Sequence, residues 1–234
     1  MNFEYITALM VLLALYALGI CFMKRIKRIE LFNFIFTALV FVPYVILVNK
    51  VYRDVGFDDW NFRNTLPVAN VSPFMFTSML ILPCLPKKLR KYHFLLISLL
   101  SVGMLFSTVL GCVYNAVINY KFHFHFMLDY LSHMVLSLFG IYLIRSKQAV
   151  PSVKNSLISG SVIVGAAFVM MILNLIFDTA FFGLSLRGKH NIYNNVLTES
   201  SYLSALLYFI GLCGVLCLGF FASRLFAKEK YQIK

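Results

Sequence analysis

Residues 5–28, YITALMVLLALYALGICFMKRIKR, decide how the rest of the chain is read. Positions 5–22 carry no charge, and Lys24, Arg25, Lys27 and Arg28 follow at once. About 20 mostly apolar residues form a helix long enough to cross the roughly 30 Å hydrocarbon core of a bilayer. Cations gathered just beyond such a run mark its cytoplasmic end. A cleaved leader carries its charges before the apolar run, so this segment reads as a first transmembrane helix.

The same pattern recurs along the chain. Apolar runs over residues 31–48, 66–85, 94–114, 125–144, 157–177 and 202–221 join the first at 5–22, with Pro43 a kink in the second. The 234 residues are 61% hydrophobic and 13% charged, against roughly 45–50% and about 25% in soluble domains. No single water-soluble core could hide that much apolar surface. The expectation is an all-α polytopic bundle of about seven helices, with residues 1–234 forming one transmembrane domain in the cell membrane.

Charge then orients the bundle. Of the 21 lysines and arginines, fifteen fall in four clusters: 24–28, 87–91, 145–154 and 224–234. These clusters share one side of the membrane, and the positive-inside bias makes that side cytoplasmic. The N-terminus is then outside and the C-terminus inside. The net charge of +12 lies in loops facing anionic headgroups rather than along a polar face, so membrane lipids are the expected partners and nucleic acid is not. Cys21, Cys84, Cys112, Cys213 and Cys217 all fall within or beside apolar runs, and small-hydrophobe packing is expected of them.

Ionisable side chains within membrane helices are costly, so they point to partners, water or function. The fifth run opens with HFHFMLDYLSH, residues 123–133. At about 100° per residue, His125, Asp129, Ser132 and His133 share an arc of roughly 100° on one face. An aspartate one turn from a histidine can hold and polarise it for acid–base work, and the same spacing suits metal ligands. A buried pair that only fixes packing is the structural alternative.

Other runs bring polar groups to the same outer depth. Asn70 and Ser72 lie in the third, where Pro67 and Pro73 free backbone carbonyls. Asn115 and Asn119 end the fourth, Asn174 and Asp178 the sixth, while Glu199 and Tyr202 open the seventh. Taken singly, Asn70, Asn115 and Asn174 suit hydrogen bonds between helices. Arg187, Lys189 and His190 form either a solvated loop or a lid over a phosphate headgroup. The inner halves of the later helices are nearly all apolar. No GxSxG, HExxH or phosphate-binding loop is present, and no cofactor is implied.

At LPVANVSPF (66–74), LSHMVLSLFGIYL (131–143) and KHNIYNNVL (189–197) the chain resembles the YwaF-like family of bacterial membrane proteins. That family is similar to an animal transmembrane acyltransferase acting on phospholipids. The resemblance covers most of the chain and implies His133 as the family's histidine in the fifth segment, with Asn70 in the third. The family pattern has a histidine and a cysteine just before that asparagine. Here Pro67 or Val68, and Ala69, stand there, so a covalent cysteine mechanism lacks its nucleophile at that place.

Together these readings favour a membrane-embedded enzyme acting on a lipid or acyl group near the outer leaflet. His133 or His125 is its base, Asp129 its orienting group and Asn70 a stabiliser of developing negative charge. Asn174, Asp178, Arg187, His190 and Tyr202 are the candidate substrate contacts. A small transporter or cation-binding protein, and a non-catalytic envelope partner, are the alternatives. The topology has a direct test with a membrane-impermeant maleimide. Lys121→Cys should label in intact cells and Lys228→Cys only after permeabilisation; the reverse pattern sinks the orientation.

Overall fold

The computed structural model describes residues 2–23, 85–122, 124–177, 184, 186 and 200–228, with backbone only over 124–129. Within them are five helices: α1 Phe3–Phe22, α2 Lys87–Val117, α3 Phe124–Arg145, α4 Val153–Phe177 and α5 Ser201–Phe226. They correspond to the first, fourth, fifth, sixth and seventh expected runs. The expected helices over 31–48 and 66–85 lie outside the described residues. The chain is an integral membrane protein: α1, α2, α4 and α5 are each long and apolar enough to cross a bilayer. The described side chains of α3 cover the shorter apolar stretch Tyr130–Arg145.

Local chemistry sets the helix ends. The Asn2 side chain accepts from the Glu4 backbone N–H at 2.9 Å and starts α1. Ser200 does the same for α5 through Leu203, each supplying an acceptor to an otherwise orphaned donor. The α2 helix begins after Pro86 and stops where Asn119 turns left-handed, at φ 55°; asparagine tolerates that conformation better than most residues. At 31 residues α2 rises about 46 Å, more than the hydrocarbon core requires. Its first turns therefore extend into the basic cluster, beyond the expected 94–114. Apolar runs mark only the part in lipid, and lysine and arginine are good helix formers that carry the helix on.

Cross-contacts give the directions. Asn2 of α1 reaches Ala116 and Tyr120 at the far end of α2. The α3 residue Tyr130 sits beside Gly111, and Gly140 beside Ser98 and Ser101. Gly219 of α5 lies against Leu99, and Val215 against Gly103. Ser159 of α4 donates to the Tyr92 carbonyl at 3.0 Å. So α1, α3 and α5 run antiparallel to α2, while α4 runs parallel to it. One end of the bundle therefore gathers Lys87, Lys88, Arg90, Lys91, Arg145, Lys147, Lys154, Arg224 and Lys228, and is called the basic end below. The end of α1 and the start of α2 both lie there.

The α2 helix is the hub, packing against all four others. Every residue from 94 to 101 is buried, so this half of α2 is enclosed all round by protein. The outer helices instead bury narrow stripes. On α1 the stripe is Tyr5, Ala8, Leu9, Leu12 and Tyr16; on α4 it is Ser159, Gly160, Ile163, Ala167 and Asn174. Their remaining faces expose leucine, phenylalanine and isoleucine, as lipid-facing helices do.

Small residues let backbones approach where no hydrophobic force drives helices together. A Cβ on Gly219 would overlap the Leu99 carbonyl oxygen, and one on Gly140 would overlap Ser101 and crowd the Ser98 Cα. Backbone cannot move aside as a side-chain tip can. Gly219→Leu should therefore cost about 1–3 kcal/mol or more and lower the thermal unfolding midpoint in detergent. Gly165→Ala, with nothing within 4 Å of the new carbon, should change it little. Equal midpoints for Gly219→Leu and the parent chain would refute this close contact.

Candidate functional site

Away from the basic end, α1, α2 and α3 share a set of polar contacts. Asn2 Nδ2 donates to the Tyr120 carbonyl at 2.9 Å, and Tyr5 Oη to the Lys121 carbonyl at 3.2 Å. The Tyr5 ring meets Phe122 edge-on, centroids 5.1 Å apart. The start of α1 is thus pinned to the α2–α3 turn. One layer deeper, Asn115 Nδ2 donates to Tyr130 Oη at 2.9 Å, joining α2 to α3. Thr108 Oγ1 donates to the Met104 carbonyl of its own helix, and lies 3.5 Å from that of Tyr130. Deeper again, Tyr16 of α1 and Ser137 of α3 share a hydrogen bond of 2.8 Å between their hydroxyls.

His133 stands on α3 between these last two levels, one turn from Tyr130 and one from Ser137. It is half-buried, and its Nδ1 is enclosed by protein. Ser132 beside it is buried. Asp129 and His125 occupy the first turns of α3, one and two turns before His133, in the part described by backbone alone. The helix therefore carries the expected ladder at intervals of four residues and continues it to Ser137.

The other candidates fare differently. Asn70, Asp178, Arg187 and His190 lie outside the described residues. Asn174 is buried, and its Nδ2 donates to the Leu184 carbonyl at 3.0 Å, tying the segment after α4 back to that helix. That is an internal anchor. Tyr202 is 76% exposed and lies at the mouth of an apolar groove between α4 and α5, away from the α1–α3 polar levels. Asn115 does bond between helices, as expected of it. Among the described residues no three of His, Cys, Asp or Glu gather as a metal site would require.

Two sets of residues escaped the sequence reading. Tyr16, Tyr130 and Ser137 supply the hydroxyls flanking His133; the i+4 interval from His133 to Ser137 was the available signal. Cysteine packing differs as well. Cys112 is fully buried, but Cys21, Cys213 and Cys217 are exposed. Cys213 and Cys217 do share a face, and it lines the α4–α5 groove. A helix apolar all round does not reveal which side meets protein.

The basic half also contains several buried hydroxyls, and those of Ser98, Ser101 and Ser159 are spent on backbone carbonyls. Ser98 donates to the Phe94 and Gly140 carbonyls at 2.9 and 3.1 Å. Ser101 donates to the Ser98 carbonyl at 2.7 Å. Such back-bonded hydroxyls tie helices together and leave no hydrophilic track.

In comparisons with known proteins, the TMEM164 family model matches residues 1–223. No curated protein and no solved structure matches the chain.

The Asn115–Tyr130 bond makes a quantitative prediction. Interhelical hydrogen bonds in membranes average roughly 0.6 kcal/mol, with about 1.7 kcal/mol as the upper end. A double-mutant cycle of Asn115→Ala and Tyr130→Phe, read by unfolding in detergent, should give a coupling in that range. Strict additivity would mean that the two side chains do not meet.

Proposed function

The chain belongs to the TMEM164 family, and we propose that it is a membrane-embedded enzyme acting on a lipid or acyl group near the outer leaflet. One observation carries the reading: an imidazole, His133, sits a third of the way or more into a membrane helix with its Nδ1 enclosed and hydroxyls one turn to either side. An ionisable group at that depth is costly unless it is used. Asn2, Ser98, Asn115 and Asn174 instead have structural work, in a cap, interhelical bonds or bonds to carbonyls.

The reaction class follows from a base beside an acyl substrate. A neutral imidazole takes the proton from an attacking hydroxyl, of water or of an acceptor lipid. The oxygen then adds to the ester carbonyl, and the resulting oxyanion needs a donor, the role proposed for Asn70. Collapse breaks the bond to the original alcohol, which leaves with the proton from the imidazolium. Water as the attacking group gives hydrolysis; a lipid hydroxyl gives acyl transfer. The resemblance to the YwaF-like proteins supports acyl transfer. Asp129, one turn earlier on α3, is proposed to orient the histidine, with His125 a further turn out. Seven spans with an external N-terminus complete the proposal, placing this chemistry toward the outside.

Transport is the weaker alternative, because Ser98, Ser101 and Ser159 all spend their protons on backbone carbonyls in the basic half. A path across the membrane needs groups left over to bind cargo.

The full-length protein in vesicles tests this. His133→Ala should lower conversion of a phospholipid by about 10²–10⁴-fold, and Asp129→Asn by less, with expression and melting temperature unchanged. Unaltered lipid composition with and without the protein, or full turnover by His133→Ala, would sink the enzyme reading. Ion flux without lipid conversion would move the protein to the transport class.

A further inference from the structure

The groove between α4 and α5 arises because both helices lean on α2 more than on each other, leaving Leu99 at its floor. It has a volume of about 1250 Å³. From Val153 to Met171 its α4 wall rises about 27 Å, a long apolar trough that extended hydrocarbon chains can fill. Gly160 and Gly165 deepen it, and its remaining walls are apolar, with Leu157, Leu216 and Phe220 toward the basic end.

Three features of the basic-end mouth specify a headgroup. Lys154 is exposed beside the lining residue Val153. Arg224 is exposed, and its guanidinium carbon lies 5.8 Å from the centroid of the Phe220 ring, which lines the groove. Neither α4 nor α5 contains an acidic residue to neutralise them. Ser156, one step further in, lines the groove with its Oγ enclosed and no hydrogen-bond partner. A buried hydroxyl without a partner is costly, and turning it into the groove toward an acceptor on a bound molecule would satisfy it.

We propose that the α4–α5 groove is a binding site for an anionic diacyl phospholipid from the leaflet at the basic end. Its phosphate lies by Lys154 and Arg224, an ester carbonyl accepts from the Ser156 hydroxyl, and its two acyl chains run along Gly160 and Gly165 toward Cys213. Basic recesses between membrane helices are the usual seat of such headgroups. The site is separate from the proposed reaction, since His133 is not among the lining residues. It would hold a structural or regulatory lipid.

The experiment uses the full-length protein in phosphatidylcholine vesicles containing a trace of either phosphatidylglycerol or phosphatidylcholine with a photoactivatable diazirine in one acyl chain. Labelled peptides are mapped by mass spectrometry. In the parent chain, phosphatidylglycerol should label α4 and α5 in strong preference to phosphatidylcholine. Each cation near an anionic headgroup contributes about 1 kcal/mol, so Lys154→Gln with Arg224→Gln should lower that preference by about 30-fold. Gly165→Phe, placed where a new side chain meets open space, should reduce groove labelling by both lipids while sparing α1 and α3. Equal labelling by the two lipids in the parent chain, or a double variant that keeps the preference, overturns the headgroup assignment. Groove labelling unaffected by Gly165→Phe, or a Cys213–Cys217 cross-link between two copies, overturns the site itself.

Discussion

Where α2 passes Leu99, neighbouring helices touch its backbone from two sides. Gly219 brings α5 against the Leu99 carbonyl, and Gly140 brings α3 against Ser98 and Ser101. Lipid tails are as apolar as leucine, so burying apolar surface provides no net drive to bring helices together in the membrane. Dense contact and a few hydrogen bonds must do it, and both need short distances. Glycine provides the distance, and Ser98 uses it to reach a carbonyl on α3. Once α3 and α5 are seated there, the other placements follow. The α1 helix attaches through Tyr16 to Ser137, and α4 is fixed by Ser159 to Tyr92. The groove is the space left when two helices share one hub without closing on each other.

This arrangement divides the bundle by depth. Near the basic end, Ser98, Ser101 and Ser159 spend their hydroxyls on backbone carbonyls, and the helices pack tightly. Toward the opposite end, α2 exposes Phe106, Leu110 and Val117, and contacts between helices pass to longer polar side chains. Asn115 with Tyr130, and Tyr16 with Ser137, make those contacts through side chains rather than through close backbone approach. His133 lies in this second environment, between Tyr130 and Ser137.

Much of the architecture was legible because hydrocarbon imposes a length and excludes charge, and both leave direct marks in the sequence. The five described helices fall on five of the expected runs. Their ends were less legible: residues 87–93 continue α2, and 222–226 continue α5, past the point where hydropathy reports anything. Asn115 and Asn174 stood out as polar residues in apolar runs. Their partners, Tyr130 and the Leu184 carbonyl, did not, since partner choice depends on how helices rotate against each other. Rotation is poorly encoded when a helix is apolar all round, as Cys213 and Cys217 illustrate by facing a groove instead of a core. The polar ladder on α3, Ser137 included, was visible from its spacing, but the meeting of Ser137 with Tyr16 needed α1 in view.

The tie between Asn2 and the Tyr120 carbonyl also bears on biogenesis. The two residues are 118 positions apart, and ribosomes add roughly 5–20 residues per second. The first helix therefore waits about 6–24 seconds in the bilayer before the turn that receives it has been made. During that interval the Lys121 carbonyl that Tyr5 reaches and the Ser137 hydroxyl that Tyr16 meets have not yet been made. The order of translation thus leaves these two tyrosines to be paired only once α2 and α3 have been made.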